Sequence, residues 1–153
     1  MLPQIAVEGR VVADPELRYS PTGTAVTKFR IVAASKKKVT NAEGRDEWVD
    51  DRVLWLQCVA FNRGTVVTLA ENIAESLVKG DLVVVTGRLQ TDEWTTEGGE
   101  KRSQIVCLCD TVSKSLVFNA IPVGAGRAER ASSSPAAEDP WAAPAPSTEE
   151  PPF

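Results

Sequence analysis

The sequence predicts a mainly β domain, a five-stranded barrel with one helix between its third and fourth strands, followed by a disordered C-terminal tail. Apolar and polar residues alternate with period two in several short runs. One internal stretch switches to helical spacing. From Pro122 onward the composition falls to mostly Ala, Pro, Ser, Gly and Glu, which cannot bury enough apolar surface to offset chain entropy.

Gln4–Val12 is a β-rich run ended by the turn signal Ala13-Asp14-Pro15, and Tyr19-Ser20-Pro21-Thr22-Gly23 is a second turn cluster. Ala25–Ala34 places Thr27, Phe29, Ile31 and Ala33 on one face, with Lys28, Arg30 and Val32 on the other. Residues 35–52, SKKKVTNAEGRDEWVDDR, read as a charged loop. Val53–Phe61 is apolar on both faces: Leu54, Leu56, Cys58 and Ala60 point one way, Val53, Trp55, Val59 and Phe61 the other. In Thr65–Lys79 the apolar residues Leu69, Ile73 and Leu77 recur every four positions, which predicts an amphipathic helix closed by Gly80. Leu82–Thr91 returns to a Val-rich strand, Glu97-Gly98-Gly99-Glu100 forms a hairpin turn, and Ser103–Val112 completes the set. The order β-β-β-α-β-β is that of the five-stranded OB barrel, although a small α+β sandwich shares it. The domain then spans residues 1–121 and the tail 122–153.

The chain has 153 residues and a net charge of −4. Residues 1–121 hold 15 basic and 16 acidic side chains, and the tail holds 2 basic and 5 acidic ones. Any surface attractive to polyanions must therefore be a local patch. The absence of histidine removes the commonest general base and the commonest metal ligand. No phosphate-binding glycine loop or catalytic constellation stands in for them, so the chain reads as a binder without enzymatic activity, cofactor or metal. Three cysteines, no signal peptide and no membrane-spanning run point to a cytoplasmic protein with buried thiols.

Trp55 and Phe61 lie six apart on one face of a strand, and Trp94 follows the next strand. Exposed rings on a sheet suit stacking by the bases of a single-stranded nucleic acid. Buried in a core or a subunit interface, the same rings would be structural. Lys28, Arg30, Arg88 and the run Lys36, Lys37, Lys38 are candidate phosphate contacts.

These segments together resemble a known family. GRVVADPELRYSPTGTAVTKFRIVAAS, WLQCVAFNRGTVVTLAENIAESLVKGDLVVVTGRLQTDEW and EKRSQIVCLCDTVSKSL are similar, in order, to the bacterial single-stranded DNA-binding proteins. EDPWAAPAPSTEEPPF resembles the acidic tip of the actinobacterial type. The resemblance implies an OB fold, a homotetramer and sequence-independent binding of single-stranded DNA in replication, recombination and repair at the nucleoid. It implies base stacking on Trp55, Phe61 and Trp94. It further implies that Glu149, Glu150, Pro151, Pro152 and Phe153 recruit replication and repair proteins. The family often has a further tryptophan after the second strand, where this chain reads Ser35-Lys36-Lys37-Lys38; Trp48 follows in the loop.

Overall fold

A computed structural model describes residues 1–122. Six strands and one helix occur in the order β1 (Gln4–Val11), β2 (Glu16–Tyr19), β3 (Ala25–Thr40), β4 (Asp46–Phe61), α1 (Leu69–Ser76), β5 (Leu82–Thr95) and β6 (Lys101–Lys114). The strands form one sheet in the order β1-β5-β6-β4-β3-β2, closed into a barrel where Arg10 and Val11 of β1 pair with Val32 and Ile31 of β3. Pairing is antiparallel except between β4 and β6. Among the described residues no helix is long and apolar enough to cross a membrane.

The alternation seen in the sequence sets the core. Phe29 and Ile31 from β3, Leu56, Cys58 and Ala60 from β4, Val83 and Val85 from β5, and Cys107 and Cys109 from β6 bury together. Ile73 and Leu77 cover the barrel's end. Thr27 is fully buried among them, and its Oγ1 donates a 2.6 Å hydrogen bond to the Ala70 carbonyl oxygen, tying α1 to β3. A bond of that kind contributes on the order of 1 kcal/mol, and leaving either group unpaired costs more. The three cysteines are free thiols in the core. Burial pushes the Cys107 thiol from its ordinary value near 9 up to about 12. Cys109 also shifts upward, first through its hydrogen bond with Cys58 and then through burial.

Three expectations need correction. Residues 35–52 are not a loop: β3 and β4 run on to Thr40 and Asp46 as a long hairpin. Opposite charges face each other across it, and Asn41 shapes the turn by accepting hydrogen bonds from the Glu43 and Arg45 amides on its Oδ1. A four-residue strand, β2, stands between the two turn signals, so the helix falls between the fourth and fifth strands rather than the third and fourth. The helix is also shorter than its apolar spacing suggests. Val66 and Val67 are exposed and Arg63 bridges to Val67, so the helix starts at Leu69, where the Asn62 side chain accepts the Ala70 amide hydrogen bond. It ends at Ser76, so Gly80, at φ 93°, serves the turn into β5 rather than the helix end, its amide bonding the Val11 carbonyl.

Candidate nucleic-acid interface

The candidate site lies on the face of β3 and β4 that points away from the core. Register pairs Val26 with Phe61, Lys28 with Val59, Arg30 with Gln57 and Val32 with Trp55. Opposed residues in an antiparallel ladder share a face, so the two rings bracket the two cations. Trp55 is 59% exposed and Phe61 38%. They stay in solvent because Leu56, Cys58 and Ala60, on alternate positions, already fill the barrel.

A groove of about 460 Å³ opens on this face. Lys28, Arg30, Gln57, Val59 and Trp94 line it, with Gln104 and Val106 from β6. The Gln57 side chain is held there by donating from Nε2 to the Phe29 carbonyl at 3.1 Å. Trp94, 46% exposed, projects from β5 opposite Arg102, beyond the pair Asp92–Gln104. Acids also border the groove: Asp14, Glu16 and Asp92. Among the described residues no carboxylate lies within 4.0 Å of the Lys28 or Arg30 charge, since Glu16, opposite Lys28, bonds Arg18 instead.

The remaining predicted cations are placed differently. Lys36, Lys37 and Lys38 form ion pairs across the hairpin with Asp50, Asp51 and Asp46. Lys37 points to the opposite face from Lys36 and Lys38. Arg88 lies on the same outward row as Lys28, through Leu108 and Val59, but with two strands between them. Its guanidinium meets Asp110 at 3.5 Å, and Arg63 holds the same carboxylate oxygen at 2.8 Å. Asp110 reaches both because a bulge leaves it unpaired between Cys109 and Thr111. The structure thus brings together Trp55, Phe61, Trp94, Lys28 and Arg30, and sets Arg88 and the lysine run apart with acidic partners. Residues Glu149–Phe153 lie outside the described residues.

Sequence reasoning missed Gln57, Gln104 and Arg102. A signal for Arg102 existed: a hairpin centred on the Gly98-Gly99 turn places residue 102 opposite Trp94. Gln57 was readable as the polar position between Trp55 and Val59 on one strand face.

Comparison with known proteins converges on one family. Residues 2–115 match the Single-strand binding protein family. The chain is 44% identical over 114 residues to a single-stranded DNA-binding protein of Corynebacterium glutamicum, covering 74% of this chain and 47% of that protein. It is 35% identical over 166 residues to the single-stranded DNA-binding protein of Mycobacterium tuberculosis, covering 97% of this chain and 96% of that one. Among solved structures, the small single-stranded DNA-binding protein from Streptomyces coelicolor matches with a TM-score of 0.59 at 25% identity, over 76% of this chain and 96% of that one. A Plasmodium falciparum SSB in complex with ssDNA shares the fold, with a TM-score of 0.58 at 18% identity over 75% of this chain and 96% of that one. With the barrel and its exposed aromatic face already established, these matches place the chain in the single-strand binding protein family.

Proposed function

We propose that this protein binds single-stranded DNA without regard to sequence, shielding it during replication, recombination and repair. One observation carries the reading: Trp55 and Phe61 flank, on a single strand face, a groove lined by Lys28, Arg30 and Trp94. Every base has a π-face, so stacking on three exposed rings is indifferent to sequence, at roughly 1–3 kcal/mol per base. Lys28 and Arg30 attract the phosphates running between those rings. Gln57 and Gln104 offer hydrogen-bonding side chains along the groove without selecting one base. No bond is made or broken in this scheme, and the protein acts as a binder rather than an enzyme, at the nucleoid in the cytoplasm.

The working form is a homotetramer. The open edge of β1 supports association: Gln4–Gly9 pair with β5 on one side and, among the described residues, have no strand on the other. The domain is residues 1–121 and the tail 122–153, whose tip, Glu149–Phe153, recruits replication and repair proteins. The two acids and the aromatic ring of that segment suit a pocket with an apolar floor and a basic rim.

Titration of the intrinsic tryptophan fluorescence with oligo-dT tests the reading, with Trp55→Ala measured beside the wild type for affinity and oligomeric mass. Quenching by oligo-dT, and a loss of about 5- to 100-fold in the variant with its mass unchanged, is the expected result. A variant that dissociates yet keeps its DNA affinity assigns Trp55 to a subunit interface instead.

A further inference from the structure

Three carboxylates border the groove, and the fold uses two of them. Asp14 accepts the Lys79 amide hydrogen bond on Oδ1 at 2.8 Å, and Glu16 bonds Arg18. Asp92 differs. It is exposed on β5, opposite Gln104 and two residues before Trp94. Residues two apart on a strand share a face and lie about 7 Å apart, so Asp92 stands beside the Trp94 ring. Among the described residues no cation lies within 4.0 Å of its carboxylate and no donor bonds it; Arg102, the register partner of Trp94, bonds Glu100 instead.

A free carboxylate on this face works against the other groups of the site, because it repels the phosphates that Lys28 and Arg30 attract. Its favourable use toward a nucleic acid is as an acceptor, since an ionised carboxylate offers two oxygens and no donor. The bases differ in what they present to it. On its Watson–Crick edge guanine carries two adjacent donors, N1–H and the N2 amine, which match both oxygens at once. Adenine and cytosine set a ring-nitrogen acceptor beside their amine, and thymine flanks its single N3–H with two carbonyls. Each of these turns a lone pair toward the carboxylate. In a single strand the Watson–Crick edge is free to be bonded by a side chain, whereas in a duplex the pairing base occupies it.

We propose that Asp92 makes the base position over Trp94 selective for guanine, with stacking on the ring and bidentate hydrogen bonding to the carboxylate acting on the same base. This rests on the single-stranded DNA reading above and refines it. The preference falls on one base per domain, so the rest of the strand is held without regard to sequence. Ring and carboxylate together also reject duplex, because a paired guanine offers neither its face nor its Watson–Crick edge. Bidentate contacts of a side chain to a base edge discriminate by at least about fivefold.

The test uses the full-length protein and the shortest oligo-dT that the wild type binds, with one thymidine replaced in turn along the strand by dG, dI, dA or dC. Competition against a labelled oligo-dT, read by fluorescence anisotropy, gives the relative affinities. Inosine keeps the purine ring and N1–H but lacks the N2 amine, so it separates stacking from the two-point contact. At its best position dG is expected to bind at least about fivefold more tightly than dA or dC, with dI losing most of that gain. Asp92→Asn, which puts a donor where one acceptor stood, is expected to lose most of it too. Equal affinity of the wild type for the dG, dA and dC strands overturns the proposal and leaves the groove reading intact. A gain that dI shares in full assigns the effect to stacking or to one hydrogen bond and overturns the bidentate contact. A dG gain that survives in Asp92→Asn belongs to another residue and overturns the assignment. The wild-type series stands whatever the folding of the variant. Absence of oligo-dT binding by the wild type overturns both readings.

Discussion

Asp50→Asn offers the sharpest measure of how much electrostatics contributes to binding. For a single strand, log K falls with log salt at a slope of about −0.7 for each phosphate neutralised by a cation that had to release its counterion. Six basic residues stand out in the sequence as phosphate contacts, which would give a slope of about −4 and a loss of more than about 10,000-fold per tenfold rise in salt. The structure reduces the count. Lys36, Lys37 and Lys38 already face Asp50, Asp51 and Asp46, and Arg88 faces Asp110. Among the described residues Lys28 and Arg30 remain without a carboxylate within 4.0 Å, which gives a slope of about −1.4 for one domain and a loss of about 25-fold over the same range. Asp50→Asn strips Lys36 of its partner at 2.9 Å and is expected to steepen the slope by about 0.7. It leaves the fold intact, since exposed pairs of this kind add little stability. The assay is fluorescence anisotropy of a labelled oligo-dT short enough to occupy one domain, at five or more salt concentrations. A wild-type slope near −4, unchanged by Asp50→Asn, would refute the reasoning, because the hairpin lysines would then already be neutralising phosphate.

Gly87→Ala is expected to cost about 3 kcal/mol or more, since its Cβ would lie 2.2 Å from the Leu108 carbonyl oxygen in a two-sided part of the sheet. In Gly98→Ala the nearest atom is 4.0 Å away, so only the first variant should lower the thermal midpoint, by on the order of 10 °C. The thiols should resist alkylation at pH 8 in the folded protein and all react in urea, because burial holds Cys107 protonated up to about 12. The folded state binds that proton more tightly than the unfolded one, so the stability it contributes is complete below about pH 9 and drains away as pH rises towards 12; urea midpoints across that range check the sign. Removing Glu149–Phe153 should abolish capture of replication and repair partners and leave oligo-dT affinity equal or higher, since the tail carries a net charge of −3.

Much of the barrel was legible because burial imposes alternation. Phe29, Ile31, Leu56 and Cys58 announced their faces in the sequence, and with them the outward placement of Trp55, Phe61, Lys28 and Arg30. The hairpin of residues 35–52 was hidden because no apolar pattern marks it. Its two strands are matched by charge, lysines in one opposite aspartates in the other, and charge runs read equally well as solvated loop. β2 was hidden by its length, four residues between two turns. The acidic partners of Arg88 and Lys37 were illegible for a different reason. Asp110 and Asp51 are the unpaired residues of two bulges, and a bulge changes which side chains meet without changing composition. Gly87 did carry a signal, as a glycine inside a Val-rich strand, where loss of the side chain points to close approach of another backbone.

The near-neutral domain then makes sense as a consequence of the site rather than an obstacle to it. Residues 1–121 carry a net charge of −1, too little for long-range attraction of a polyanion. On the proposed reading affinity comes chiefly from short-range terms, and the exposed rings, spaced by strand register on one continuous face, are the groups to provide them. Stacking is sequence-tolerant and weakly salt-dependent, whereas phosphate attraction is sequence-tolerant but strongly salt-dependent. A protein that pairs its lysines with aspartates and leaves its aromatics in solvent has shifted its binding from the second term to the first. The same pairing also limits binding to duplex DNA, whose bases are already stacked and which offers mainly its phosphates. On the single-stranded DNA reading proposed above, the ion pairs in the hairpin act as a filter, favouring strands whose bases are free over any polyanion that merely carries charge.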